Sequence, residues 1–364
     1  MIHEFIVEEL KTRLDKYLAK QLPEISRSSI QRDIEGGQAE VNGQPITESK
    51  FTVRLNDKVV YKVASDKLQV TELKPTNTPL KVLYNNHGLL IIDKSAGMVV
   101  HQGAGFMVET LASALLYHFS AKGGSQPKAD QPLAGAINSG GKDDISVVGE
   151  DHRPGIVHRL DKDTSGVMLV ARTPKMYEYL KDAFLERKVK KEYIALVWGE
   201  VSQPHGFIET PIGKSKTDFR KQTVKDPVEG KQALTEYQVL EYLGSDKSEN
   251  RRIGESDKTV FSDLRPPTSD SSDLDGYTLI MVKLHTGRTH QIRVHLASIG
   301  HPLLGDELYG NKKTRLPGLY RQFLHAKKIE VQLPDKTWIE AESEFPEDLG
   351  QVLVSLNSKV VKEL

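Results

Sequence analysis

Two short stretches concentrate the side chains able to do polar chemistry. The first reads GIVHRLDKDTSGVMLVAR, from Gly155 to Arg172. Two strand-like runs, GIVHRL and GVMLVAR, flank the tight polar turn DKDTSG, and Asp161 stands where the first run gives way to the turn. A carboxylate at such a junction is partly exposed and rigidly held. It can act as a nucleophile, a base or an electrostatic stabiliser of an oxocarbenium-like sugar. A turn aspartate more often caps its own loop, and Asp163 and Thr164 share this turn, so the residue types alone do not choose among them. His158 and Arg159 suit contact with phosphate or a base, although each alone is more often a solvated or structural side chain.

The second stretch is LHTGRTHQIRVHLASIGHPLLGDELYG. Two arginines, three histidines and a glutamine fall within residues 285–295. Arg288 and Arg293 suit a carboxylate partner or a phosphate. A metal site is not expected. His290 and His295 are five apart rather than at the i, i+4 spacing of a helical zinc pair, and the chain has no cysteine and no HExxH. In a third run, KVKKEYIALVWGE, Tyr193 follows a basic stretch, and on its own a strand tyrosine is ordinary packing.

These side chains need a scaffold, and 364 residues suggest two or three domains. Residues 1–11 read as an edge strand. Leu14, Tyr17, Leu18 and Leu22 recur at helical spacing up to Pro23, and a second helix carrying Ile30 and Ile34 stops at Gly36-Gly37. Asn42-Gly43 marks a turn between strands. We therefore expect a small domain over 1–65, a linker over 66–80, a larger α+β domain over 81–350 and a C-terminal tail over 351–364. Two polar stretches near 120–150 and 244–276 read as surface inserts, the second with five basic and eight acidic residues.

Lys plus Arg and Asp plus Glu are 50 each, so nucleic-acid binding would have to come from local patches. Residues 285–330 form such a patch, with eight basic side chains against three acidic ones. Absent cysteines exclude disulfides and thiolate metal sites, and no apolar run reaches the roughly 18–20 residues of a membrane span. The N-terminus lacks the uncharged core of a secretory signal. The expectation is a cytoplasmic protein.

HRLDKDTSG at 158–166, KEYIALVWGE at 191–200 and GRTHQIRVH at 287–295 resemble, in letters, order and spacing, the RluA family of pseudouridine synthases. The resemblance runs from about residue 80 to 350, the two inserts excepted. TRLDKYLAKQLPEISRSSIQRDIEGGQAEVNG resembles the RNA-binding domain shared with ribosomal protein S-four. That arrangement, with HRLD rather than GRLD, is similar to the large-subunit ribosomal branch. One departure is Asp93-Lys94-Ser95, where the family usually has Asn-Lys-Pro.

The resemblance implies a small helix-helix-strand RNA-binding domain followed by a mixed, largely antiparallel catalytic sheet. It implies isomerisation of a flipped-out uridine in ribosomal RNA, without a cofactor; no protein partner is inferred. Asp161 is then the catalytic carboxylate, with Arg288 as its cation partner and Tyr193 stacked on the uracil. Arg159 fills the space the uridine leaves, Lys191 lies beside the site, and His158, Arg159 and Lys191 are the RNA-binding residues of this domain. In the head, Arg13, Lys16, Arg27 and Arg32 are the candidate phosphate contacts. Two alternatives are a non-catalytic RNA-binding protein of the same fold and a nucleoside or glycoside hydrolase. Retention of Asp161, Tyr193 and Arg288 argues against the first, and the single carboxylate in each motif against the second.

Overall fold

The computed structural model describes residues 2–22, 25, 27–62, 73–86, 88–101, 109–120, 144–150, 153–218, 220–244, 259–261 and 276–364. Most of both expected inserts therefore lies outside the described residues. The described residues divide into two compact units, one up to residue 74 and one from residue 75 on.

In the first unit, helices Leu14–Gln21 and Arg27–Glu35 form where the apolar spacing predicts them. Leu14, Leu18, Ile30 and Ile34 are fully buried with Val53 and Tyr61. The antiparallel sheet runs Ile2–Ile6, Lys58–Lys62, Ala39–Val41, Gln44–Ile46, with the N-terminal strand at one edge. Asn42 and Gly43 take φ of 50° and 77°, the left-handed pair that a two-residue hairpin turn requires.

A buried charge ties this unit together. The Asp15 carboxylate, 0% exposed, accepts from Arg13 Nε at 3.0 Å, from Arg27 Nη2 at 2.7 Å and from Gln31 Nε2 at 2.5 Å. Burial raises its pKa, and the bonds from Arg13, Gln31 and Arg27 reverse that, leaving it below the usual value. Arg27, expected on phosphate, thus ties the second helix to the first together with Gln31, while Arg13, also expected there, binds the same carboxylate from the cap of its own helix. Lys16 and Arg32 are exposed.

The second unit is built on a ten-stranded sheet. Its central strands, Leu234–Leu243, Tyr277–Leu284, Lys190–Trp198 and Leu324–Gln332, pair antiparallel. Ser165–Ala171 joins Leu324–Gln332 in parallel and Leu89–Lys94 antiparallel. Helix Leu111–Phe119 starts at a Thr110 cap, and Pro174–Leu185 at a Thr173 cap with proline in its first turn.

Three expectations need correction. Residues 75–80 belong to the second unit, where Thr76 N donates to Ser113 O, rather than to a linker. The expected tail over 351–364 continues helix Glu347–Ser355, whose Val352 and Leu353 are buried beside Phe323 and Leu304. GIVHRL is not a regular strand. The Leu324–Gln332 strand covers its neighbour only at Ser165 and Gly166, so the next donors on that edge need other acceptors. Gly155 O accepts from Ala171 N at 2.8 Å, Ile156 forms one bridge to Val170, and the His158 ring accepts from Leu169 N at 2.8 Å.

Candidate active site

The turn carrying Asp161 is pinned almost residue by residue. Thr164 N donates back to Asp161 O at 3.2 Å. Lys162 O accepts from Gly97 N at 3.0 Å and from Lys94 Nζ at 2.9 Å. Asp163 O accepts from Arg321 Nη1 at 3.1 Å, and Thr164 Oγ1 from Gln322 Nε2 at 3.2 Å. Ser165 Oγ lies 3.0 Å from His325 Nδ1. Gly166 ends the turn at φ 118°, and a Cβ there would lie 2.1 Å from Ala326 O, so only glycine lets the two strands touch.

The cation on Asp161 is Arg293, not Arg288. Arg293 Nη1 donates to Asp161 Oδ2 at 2.9 Å, while its Nε and Nη2 clasp Asp306 at 2.7 and 2.8 Å. Asp306 is 0% exposed and also accepts from Leu308 N and Tyr309 N. Burial works against the Arg293 charge, and the two carboxylates more than offset it, keeping the guanidinium charged. Arg288 points elsewhere, its Nε donating to Gln232 O at 3.0 Å.

The local chain path explains the choice. His290 adopts φ 56° before helix Gln291–Ser298, so the backbone reverses direction between the two arginines. Gln291 fixes that reversal, accepting from Thr286 Oγ1 and Arg288 N and donating to Leu234 O. His295 is buried between Thr235 Oγ1 and Thr210 O, and burial lowers its pKa to about 4. His290 Nδ1 meets Tyr309 Oη at 2.8 Å. That phenol oxygen also accepts from Gln222 N, and His290 Nε2 lies 3.8 Å from Asp161 Oδ1.

The strand Lys190–Trp198 presents Lys191 and Tyr193, two apart, on one face. Tyr193 is 6% exposed. Burial and then the Asp161 charge push its phenol well above the ordinary range, so it is neutral. The Lys191 ammonium sits 5.6 Å from the Phe184 ring centroid, and burial lowers it to about 8. His158 also packs on Phe184, with centroids 4.7 Å apart, and burial lowers its pKa to about 3. Its acceptor bond to Leu169 N makes it a neutral structural ring rather than an RNA contact. Arg159 is exposed, with Nη1 3.4 Å from His101 Nε2.

These residues share one cleft of about 670 Å³, lined by Asp161, Tyr193, Lys191, Arg159 and Arg288, with Phe184 on the apolar wall. Asp163 faces a separate hollow beside Arg220 and Arg321. Lys94, in the Asp93-Lys94-Ser95 departure, is a supporting residue. It is 1% exposed and donates to Ser95 O, Met98 O and Lys162 O, tying the loop after its strand to the Asp161 turn. Lysine is rarely so buried, and the DKS departure gave no hint of three converging carbonyls.

A deep cleft with one paired carboxylate, a neutral tyrosine and basic walls marks an enzyme acting on a polyanionic substrate. A family model described as RNA pseudouridylate synthase matches residues 88–298, and an S4 domain model matches residues 12–59. The chain belongs to the RNA pseudouridylate synthase family and is an isomerase. It is 37% identical to an uncharacterized RNA pseudouridine synthase of Aquifex aeolicus, over 86% of this chain and 82% of the relative. Another uncharacterized RNA pseudouridine synthase, from Chlorobaculum parvum, is 34% identical over 95% and 94% of the two chains. The ribosomal large subunit pseudouridine synthase D of Xanthomonas campestris is 33% identical over 94% and 88%. No helix among the described residues is long and apolar enough to cross a membrane.

Proposed function

We propose that this protein converts specific uridines of large-subunit ribosomal RNA to pseudouridine in the cytoplasm. The observation that carries the reading is the Asp161 carboxylate, fixed by Arg293 at 2.9 Å in a cleft shared with buried Tyr193. Asp161 acts on the sugar of a flipped-out uridine, as a nucleophile or by stabilising positive charge on the ring. Arg293 holds that carboxylate in place. Tyr193 packs against the uracil, and exposed Arg159 fills the gap left in the RNA stack. Arg288 lines the cleft wall and contacts RNA there. The head contributes orientation through Lys16 and Arg32 rather than base readout. The relatives named for large-subunit ribosomal RNA support that substrate.

Pseudouridine mapping of ribosomal RNA incubated with the protein tests the reading. New sites with the wild type and none with Asp161→Asn support it, whereas free uracil as the product would make the protein a hydrolase.

A further inference from the structure

We propose that Lys191 holds the uracil after it leaves the sugar, its ammonium taking the negative charge on the base oxygens while the base turns. This assignment rests on the synthase reading above and deepens it. Isomerisation breaks the C1′–N1 bond with both electrons staying on N1. The base is then an anion with charge delocalised onto O2 and O4, and the sugar carbon is electron-poor or esterified to Asp161. C5 next supplies the pair that forms the C1′–C5 bond. The proton lost from C5 is balanced by one gained on N1, so no outside reactant is needed.

The reaction thus develops two opposite charges a few ångströms apart, and the cleft contains a charge for each. Asp161 serves the sugar. Its cation partner is Arg293, so Lys191 is not consumed in an ion pair with it. Among the described residues no carboxylate forms an ion pair with Lys191, and burial alone shifts its pKa. The amine stays charged at neutral pH at about 8. A half-buried ammonium with no carboxylate partner is unusual, since desolvating a charge is costly. An anionic ligand removes that cost.

Position favours the base over a phosphate. Lys191 lies on the same strand face as Tyr193, with its amine against Phe184, deep enough to be half-buried. Arg159, Lys181 and Arg187, which also line the cleft, are exposed at its rim, where a solvated backbone would run. A cation placed where charge appears only during reaction accelerates the chemical step without tightening ground-state binding.

The test compares wild type, Lys191→Met, Lys191→Gln and Lys191→Arg under single-turnover conditions with saturating enzyme on ribosomal RNA. RNA affinity is measured at several salt concentrations. The expected result is a rate loss of about 100- to 1000-fold for Met and Gln, the range for losing one charge-stabilising donor. Arg should recover to within about tenfold of wild type, with affinity and salt slope unchanged in all three. An unchanged Met or Gln rate overturns the assignment. So does a normal rate at saturation with weaker binding and a salt slope lower by about one, because that is the signature of a phosphate contact. Should Met and Gln fail to fold, an Arg variant as slow as an inactive enzyme but folded and RNA-binding would equally overturn it. A wild-type protein that makes no pseudouridine would instead sink the synthase reading.

Discussion

Replacing Arg293 by methionine removes the guanidinium shared by Asp161 and Asp306 while keeping a side chain of similar length. Arg293 is 10% exposed and Asp306 0%, so the loss strands a buried carboxylate. Breaking a buried pair from one side costs about 3–5 kcal/mol. At roughly 2–4 °C per kcal/mol for a unit of this size, Tm should fall by about 6–20 °C. Activity should vanish with it, because Asp161 loses its clamp. The double variant Arg293→Met/Asp306→Asn separates the two effects. Asparagine keeps an acceptor for Leu308 N and Tyr309 N but carries no charge, so roughly half or more of the lost stability should return. Pseudouridine formation should not. Arg288→Ala, which loses one bond to Gln232 O, should cost only about 1 kcal/mol and leave measurable turnover. Urea unfolding and tritium release from C5-labelled uridine in RNA read the two properties separately. Wild-type activity in the double variant, or an Arg288→Ala loss equal to that of Arg293→Met, would refute the assignment of the clamp.

Other consequences follow from the same geometry. Asp161→Asn should abolish turnover while RNA binding stays within about tenfold, roughly 1.4 kcal/mol, and Asp163→Asn, which faces another hollow, should be much milder. Lys94→Met should cost on the order of 3 kcal/mol in urea unfolding and slow turnover, because three carbonyls lose their donor and the Asp161 turn loosens. Asp15 and Asp306 both have pKa values depressed below the ordinary carboxylate, so their stabilisation is complete above about pH 4 and is lost as pH falls through the folded values. Urea midpoints from pH 7 to 3 should show this, with a shallower acid dependence in Asp306→Asn. In the head, Lys16→Ala should lower the salt slope of RNA binding without changing Tm, whereas Arg27→Ala should lower Tm.

The sequence carried the scaffold where local patterns and packing agree. The head helices follow Leu14, Leu18, Ile30 and Ile34, and the hairpin follows Asn42-Gly43. The turn around Asp161 was legible, but the choice of Asp161 over Asp163 and Thr164, like the role given to Tyr193, came from the resemblance of the three motifs to the RluA family and not from local pattern. The cation was not legible. Arg288 and Arg293 are alike in type and close in sequence, and only the left-handed His290 and the bonds of Gln291 decide which one reaches the turn. His158 looked like an RNA contact because nothing in the sequence reveals an open strand edge at Leu169. Arg13 and Arg27 looked like a phosphate face because Asp15, a helix residue by spacing, gave no sign of being wholly buried.

The most direct measurement is tritium release from large-subunit ribosomal RNA labelled at uridine C5, followed by mapping of the modified positions, for the wild type and Asp161→Asn side by side. The account predicts release from a small, fixed set of uridines with the wild type, each becoming pseudouridine, and none with the variant. Equal release from both proteins, or release accompanied by free uracil and abasic sites, would contradict it.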